Sequence, residues 1–413
     1  MEHYITEIRI ERLRHLSDII ISLNAEQRQH LIVTGKNGSG KTSLLMALEK
    51  YLQAINKKQF NDLIEYHIPK LQKIEESLDK AETEAEKYEI KKGNIFNTNT
   101  LEQIRRYADG VKVLFNDSKH LESLYALGDF ITAYFPANRK AQIIRAQGIQ
   151  DIKLDDSYGV NSEPGKLLHQ YMVHLKTQQA YARNEGDMDV VDRIQAWFER
   201  FVGALRILLD DDSINLKYDY KEYNFKIHQS GRIPFDLEEL SDGYSSVIRI
   251  VSDLILRMDK NWLLGNEISK YDIEGIALID EIETHLHIGL QKKIMPFLTD
   301  FFPRIQFIIT THSPYILNSI SNAKVYDLEN CTEMENLFLY SSDDLAEGYF
   351  GSDEYSDKLK EKLNRYKYLK GKISLTEEER AERARLRSEL KNIPSGLSKE
   401  AASIFKEIEG KHL

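Results

Sequence analysis

The chain has 413 residues, of which 41% are hydrophobic and 30% charged, which supports a packed core and excludes a wholly disordered or collagen-like chain. Lys and Arg number 56 against 66 Asp and Glu, a formal net charge of −10; a uniformly basic nucleic-acid coat is excluded, and only local basic patches remain for DNA or RNA contact. The single cysteine, Cys331, forbids an intrachain disulfide or a Cys-rich metal cluster. No apolar run approaches the ~20 residues of a membrane span and the opening, Met1-Glu2-His3-Tyr4, is no signal peptide, so a cytoplasmic chain without a membrane partner is expected.

In chain order, Tyr4 to Ile10 alternates apolar and polar residues as a half-buried strand does, and Ile19 to Leu23 can pair with it. His30 to Thr34 is a short β-branched run that turns abruptly glycine-rich, with a helix predicted from Ser43 to Leu52. Ile68, Leu71, Ile74, Leu78, Ala81, Ala85 and Tyr88 recur at steps of three and four, the seam of a coiled coil. Lys91-Lys92-Gly93-Asn94 breaks it, and Leu101 to Leu127 resumes in helical style. Two readings stand: a projecting antiparallel helical hairpin, or two amphipathic helices packed on the body. Phe130 to Phe135 predicts a strand, Lys166 to Leu209 a second helical section, and Asn215 to Ile227 further extended chain. Ile276 to Ile279 and Ile305 to Thr310 are fully apolar runs suited to buried parallel strands. The end of the chain is polar and helical, with a Thr376/Glu379 capping box.

Gly35-Lys36-Asn37-Gly38-Ser39-Gly40-Lys41-Thr42 matches G-x-x-x-x-G-K-[ST] between the predicted strand and helix. Its glycines let backbone N–H groups of Gly35, Asn37, Gly38, Ser39, Gly40 and Ser43 wrap phosphates, with Lys41 on the β/γ-phosphates and Thr42 on Mg²⁺. Asp280 and Glu281 end an apolar strand; after a P-loop they supply a metal anchor and a water-orienting base. Leu240-Ser241-Asp242-Gly243-Tyr244 opens a helix, either as a phosphate-binding signature or as an ordinary N-cap. Thr310-Thr311-His312-Ser313-Pro314 ends another strand, and His312 is a γ-phosphate contact or a structural histidine. Glu283, His285 and His287 alternate along an extended segment, which also admits a metal reading.

In this order the motifs resemble the ABC-type ATPase heads of the SMC, Rad50 and OLD-like group. Asp280 to His287 followed by Thr311 to Pro314, with Arg12, Arg14 and Leu16 between the first two strands, looks most like the OLD-like bacterial ATPases. The resemblance covers residues 1–55, 130–145 and 235–330. It implies two heads sandwiching two ATP molecules with Mg²⁺, Lys41, Glu281 and His312 as catalytic residues, Ser241 and Gly243 acting across the dimer, and Gln142 as the glutamine-loop candidate. Tyr244 stands where the family has glutamine or glutamate, and His287 where transporters have aspartate.

The expected fold class is thus α/β: a P-loop ABC-type ATPase head with helical or coiled-coil insertions and a helical C-terminal tail. The expected divisions are 1–55 (P-loop lobe), 56–128 (helical hairpin), 129–165 (head strand), 166–212 (helical insertion), 213–342 (signature, Asp-Glu strand and switch histidine) and 343–413 (partner-docking tail). The resemblance extends to ATPases of bacterial anti-phage defence, in particular Septu and retron-associated Septu-like systems. It implies a homodimer or higher oligomer controlling a separate HNH-type nuclease. A toxin-holding ATPase of the PARIS type and a Rad50-like repair ATPase are the alternatives. About a hundred residues follow His312 with no nuclease motif, so any cutting is expected to act in trans.

Overall fold

The computed structural model describes residues 2–81, 83–88, 98–139, 144–264, 272–348, 357–372, 374–391 and 399–410. They fall into two compact units, Met1–Leu339 and Tyr340–Leu413.

Strands β1 (Ile5–Leu13), β2 (Leu16–Ser22), β3 (His30–Thr34), β4 (Val111–Phe115) and β5 (Phe130–Phe135) lie in the first part of unit one. β6 (Asn215–Asp219), β7 (Asn224–His228), β8 (Phe235–Asp236), β9 (Glu274–Ile279), β10 (Ile305–Thr310), β11 (Ala323–Asp327) and β12 (Thr332–Met334) follow. The central sheet has the order β12-β11-β3-β10-β9-β5. It is parallel except for β12, which runs antiparallel to β11. Every residue of β3, β9 and β10 is buried, which explains why these strands read as continuous apolar runs rather than alternating ones. β1 pairs with β2 and β4 in a second, antiparallel sheet, and β6-β7-β8 form a third.

The helices include α1 (Lys41–Asn56), α2 (Ile68–Asp79), α3 (Thr98–Tyr107), α4 (Leu121–Leu127), α5 (Leu168–Glu185), α6 (Met188–Leu209), α7 (Asp242–Leu264) and α8 (Ile288–Phe301). The tail adds α9 (Asp357–Gly371), α10 (Glu377–Lys391) and α11 (Lys399–Gly410). α1 buries Leu44, Leu45, Leu48, Tyr51, Leu52 and Ile55 in one core with Ile8 of β1, Val113 of β4, Val33 of β3 and Leu278 of β9. That core fixes the start of α1 against the central sheet.

The 56–128 stretch is not helical throughout. Val111–Phe115 is β4, in register with Ile5–Ile10 of β1, because Val111 and Val113 bury on the face that β1 presents. The predicted seam also stops early. α2 ends at Asp79, Thr83 and Glu86 exchange backbone and side-chain hydrogen bonds as a fresh capping box, and Tyr88 is 64% exposed. The Lys91–Asn94 break lies outside the described residues. In the tail, Thr376 and Glu379 do form the predicted capping box. Its apolar stripes are not left open for a partner: Leu386, Leu390, Phe405 and Ile408 bury against Leu363, Tyr366 and Leu369 of α9.

His30 ties two central strands together. Its Nδ1 accepts the backbone N–H of Phe307 at 3.1 Å, just below the point where the β3–β10 ladder begins at Leu31 and Ile308. Burial lowers its pKa from 6.5 to about 4, with the Arg28 charge acting in the same direction. Between those values the unfolded chain takes up a proton that the folded one refuses, so stability falls as pH drops through that window. At ~1.4 kcal/mol per pKa unit, urea titrations from pH 7 to pH 4 should show a loss of up to about 3 kcal/mol attributable to this residue. The loss should shrink in His30→Asn; an unchanged pH slope in that variant would exclude His30 as the titrating group.

Candidate nucleotide site

The loop between β3 and α1 carries the Gly35–Thr42 motif. Gly40 is the N-cap of α1 at φ 101°, and a Cβ there would lie 2.8 Å from Leu16 Cδ1; conformation and space both require glycine. The first turn of α1 holds no acidic residue, so its positive dipole end is uncompensated where phosphate oxygens would sit. Lys41 is 6% exposed, and its Nζ donates to the carbonyls of Gly35 at 2.7 Å and Lys36 at 3.0 Å. Burial lowers its pKa, opposed by the carboxylates of Glu281, Glu283, Asp280 and Asp327.

Asp280 follows the last residue of β9 and is buried. Its Oδ1 accepts the Thr310 hydroxyl at 2.6 Å, and the same Thr310 Oγ1 accepts the Glu281 N–H at 2.7 Å. One side chain at the end of β10 thereby orients both acidic residues. Glu281 sits at φ 44°, an uncommon backbone conformation for a residue with a Cβ. The His312 N–H donates to Glu283 Oε1 at 2.5 Å. Burial and the Lys41 charge lower the His312 pKa, against the pull of Glu283, Glu281 and Asp280.

Arg14, His15, Asn37, Gly38, Gly40, Lys41, Thr42, Ser43, Glu281 and His312 line one open cavity of about 270 Å³. The structure thus brings together residues that lie far apart in the chain. Ser241 and Gly243 do not line it. Ser241 is exposed at the start of α7, and a Cβ on Gly243 would lie 2.5 Å from the His285 carbonyl oxygen, so the signature turn packs on the loop after Glu281 of its own chain. Tyr244, at the position that departs from the resemblance, contacts His287 Nε2 through its hydroxyl at 3.1 Å.

Gln142 lies outside the described residues. The metal reading of Glu283, His285 and His287 fails. Glu283 binds the His312 amide, and His287 Nδ1 caps α8 by accepting the Leu290 N–H. Among the described residues no group of three His, Cys, Asp or Glu can hold a metal ion. For Mg²⁺ the expected donors are the Thr42 hydroxyl, which lines the cavity, and the Asp280 carboxylate, which is buried at the end of β9 and does not line it; both are hard oxygen donors of the kind that suits this cation. Sequence reasoning missed His15, whose Nε2 lies 3.2 Å from the Ser39 carbonyl oxygen. It also missed Thr310 and Arg139 as organisers of the acidic pair, because a strand-end threonine and a loop arginine carry no motif of their own.

The Gly35–Thr42 loop thus lies between a buried parallel strand and a helix, with the Asp280-Glu281 pair at the end of the strand two places away in the sheet and His312 just past the end of the strand between them. Residues 163–318 match the family described as "AAA domain, putative AbiEii toxin, Type IV TA system". The chain is similar to "Septu protein PtuA" of Bacillus mycoides (strain KBAB4), 32% identical over 202 residues, which is 47% of this chain and 26% of that protein. It is also similar to "Retron Ec83 probable ATPase" of Escherichia coli, 35% identical over 104 residues, 25% of this chain and 19% of that protein. A third relative is "Retron Vc95 probable ATPase" of Vibrio cholerae serotype O1 biovar El Tor, 41% identical over 87 residues, 21% of this chain and 16% of that protein. The matched stretches span about a quarter or less of these relatives' lengths. The resemblance to Septu and retron-associated ATPases read from the motifs is borne out. Among solved structures, an SMC head bound to the C-winged helix domain of ScpA aligns with a TM-score of 0.39 at 11% identity, over 81% of this chain and 96% of that one. A nucleotide-free ATP-binding cassette from an ABC transporter aligns with a TM-score of 0.33 at 14% identity, over 80% of this chain and 90% of that one. No helix among the described residues is long and apolar enough to cross a membrane.

Lys41→Ala should lower ATP affinity by about 10- to 100-fold, the worth of one charge-assisted hydrogen bond to phosphate. Calorimetric titration measures it, and equal affinity in the two proteins would refute the P-loop assignment.

Proposed function

We propose that the chain binds ATP with Mg²⁺, hydrolyses it, and serves as the ATPase component of an anti-phage defence system whose effector is a separate protein. The observation that carries this reading is the single cavity lined by Lys41, Thr42, Glu281 and His312. Lys41 and the N–H groups of the loop bind the β- and γ-phosphates, Thr42 and Asp280 would hold Mg²⁺, and Glu281 takes the proton of the attacking water. Mg²⁺ held there would supply charge neutralisation at the phosphates. His312, held neutral over a wider pH range by burial and by Lys41, hydrogen-bonds the γ-phosphate.

Ser241 and Gly243 complete the site from a second copy. Their absence from this chain's own cavity supports that arrangement. The Septu and retron names of the relatives support a defence setting and a partner effector. The family description mentions a toxin and a toxin–antitoxin system, which favours as a second reading an ATPase that holds a toxin until it is triggered. Co-purification with the product of the neighbouring gene separates a nuclease partner from a toxin.

Glu281→Gln should retain ATP affinity and lower the hydrolysis rate about 10²- to 10⁴-fold, the range of a lost general base; unchanged turnover would remove Glu281 from the reaction. Mixing Lys41→Ala with Ser241→Arg protomers should restore part of the hydrolysis that each variant lacks alone. One site of the mixed dimer is then intact and the other carries both lesions. If protomers exchange and no activity returns, the two-copy site is wrong.

A further inference from the structure

The polypeptide just past β5 sends one side chain beneath the acidic pair. Arg139 is 1% exposed. Its guanidinium donates to the carbonyls of Asp280 at 2.6 Å, Glu281 at 3.1 Å, Ile282 at 2.8 Å and Pro136 at 3.3 Å. Three of these acceptors are consecutive residues of the segment that carries the base. Arg139 makes no ion pair among the described residues, and its Nε is buried without a hydrogen-bond partner there.

Burying a guanidinium without a carboxylate in contact is costly. Burial pulls this group's pKa down to about 10, with Glu283, Asp280 and Glu281 opposing the fall, so it stays charged at neutral pH. A second buried arginine shows the contrast. Arg257 has its own carboxylate, Asp253, at 2.6 Å and ties α7 to the Thr132 carbonyl of β5. It serves packing. Arg139 instead directs its donors at the backbone on either side of Glu281, whose φ of 44° turns the chain out of the strand direction. Thr310 fixes the N–H side of that turn through Glu281 N, and Arg139 fixes its carbonyl side. With both in place, the Glu281 side chain reaches the nucleotide cavity while its backbone remains satisfied.

We propose that Arg139 is a positioning residue for hydrolysis: it holds the 280–282 backbone in the left-handed turn that aims the Glu281 carboxylate at the attacking water. The inference rests on the assignment of Glu281 as base. It assigns nothing to Arg139 in nucleotide binding, because Arg139 does not line the cavity.

Arg139→Lys keeps the charge but reaches fewer carbonyls. The test measures ATP affinity, kcat and the thermal midpoint for wild type, Arg139→Lys, Glu281→Gln and the double variant. ATP affinity should stay within about threefold while kcat falls about 10- to 100-fold, the pattern of a lost transition-state interaction. In the Glu281→Gln background the same change should cost less than about threefold, because the carboxylate it serves is gone. An equal fall in both backgrounds, a loss of ATP affinity that matches the loss of rate, or no change in kcat would each overturn the proposal. Wild-type protein that binds ATP without hydrolysing it would instead overturn the ATPase reading itself. If Arg139→Lys is insoluble, Arg139→Gln, which adds no charge to the interior, takes its place. Insolubility of both would make Arg139 a purely structural residue and sink the proposal.

Discussion

The nucleotide site depends on the register of three buried parallel strands. β10 pairs Ile309 with Ile32 of β3 on one side and with Ile279 of β9 on the other, which brings the carboxyl ends of all three strands level. The loops that leave those ends carry the P-loop, the acidic pair and His312. A slip of one residue in β10 would turn the Thr310 hydroxyl to the opposite face, and Asp280 and Glu281 would both lose their shared partner. Packing of apolar side chains from α1 and the central strands enforces that register. The chemistry therefore rests on a core that contributes no reacting atom.

Charge at the site is concentrated locally. Asp280, Glu281 and Glu283 act on both Lys41 and the Arg139 guanidinium. Each cation is partly or wholly withdrawn from water, where its influence on the carboxylates is stronger than at a surface. The His312 pKa is lowered in the same surroundings, first by burial and then by Lys41. This local arrangement is independent of the chain's overall negative charge.

The tail resolves one ambiguity about apolar stripes. A stripe on a helix shows that something covers it, not what does. Here α9, α10 and α11 cover one another: Tyr366 packs on Phe405 at a ring separation of 5.7 Å, and Leu369 is fully buried. Among the described residues of this unit, exposed charged pairs join Arg365 to Glu382 and Arg387 to Glu409. Exposed pairs of this kind contribute little to stability.

The sequence alone determined what local chemistry dictates. The glycine spacing of the P-loop, the two carboxylates closing an apolar strand, the Thr376 capping box and the unbroken apolar runs of β9 and β10 are each a local demand met by neighbouring residues. Tertiary structure decided what depends on distant partners. Val111 to Phe115 sits in a stretch of helical texture and becomes a strand because β1 offers an open edge. The helical seam gives way after Asp79, and a capping box starts a new helical turn at Thr83. Thr310 and Arg139 organise Glu281 only because the parallel ladders bring positions 139, 281 and 310 to one place, and hydrogen bonds between residues so far apart leave no periodicity to read.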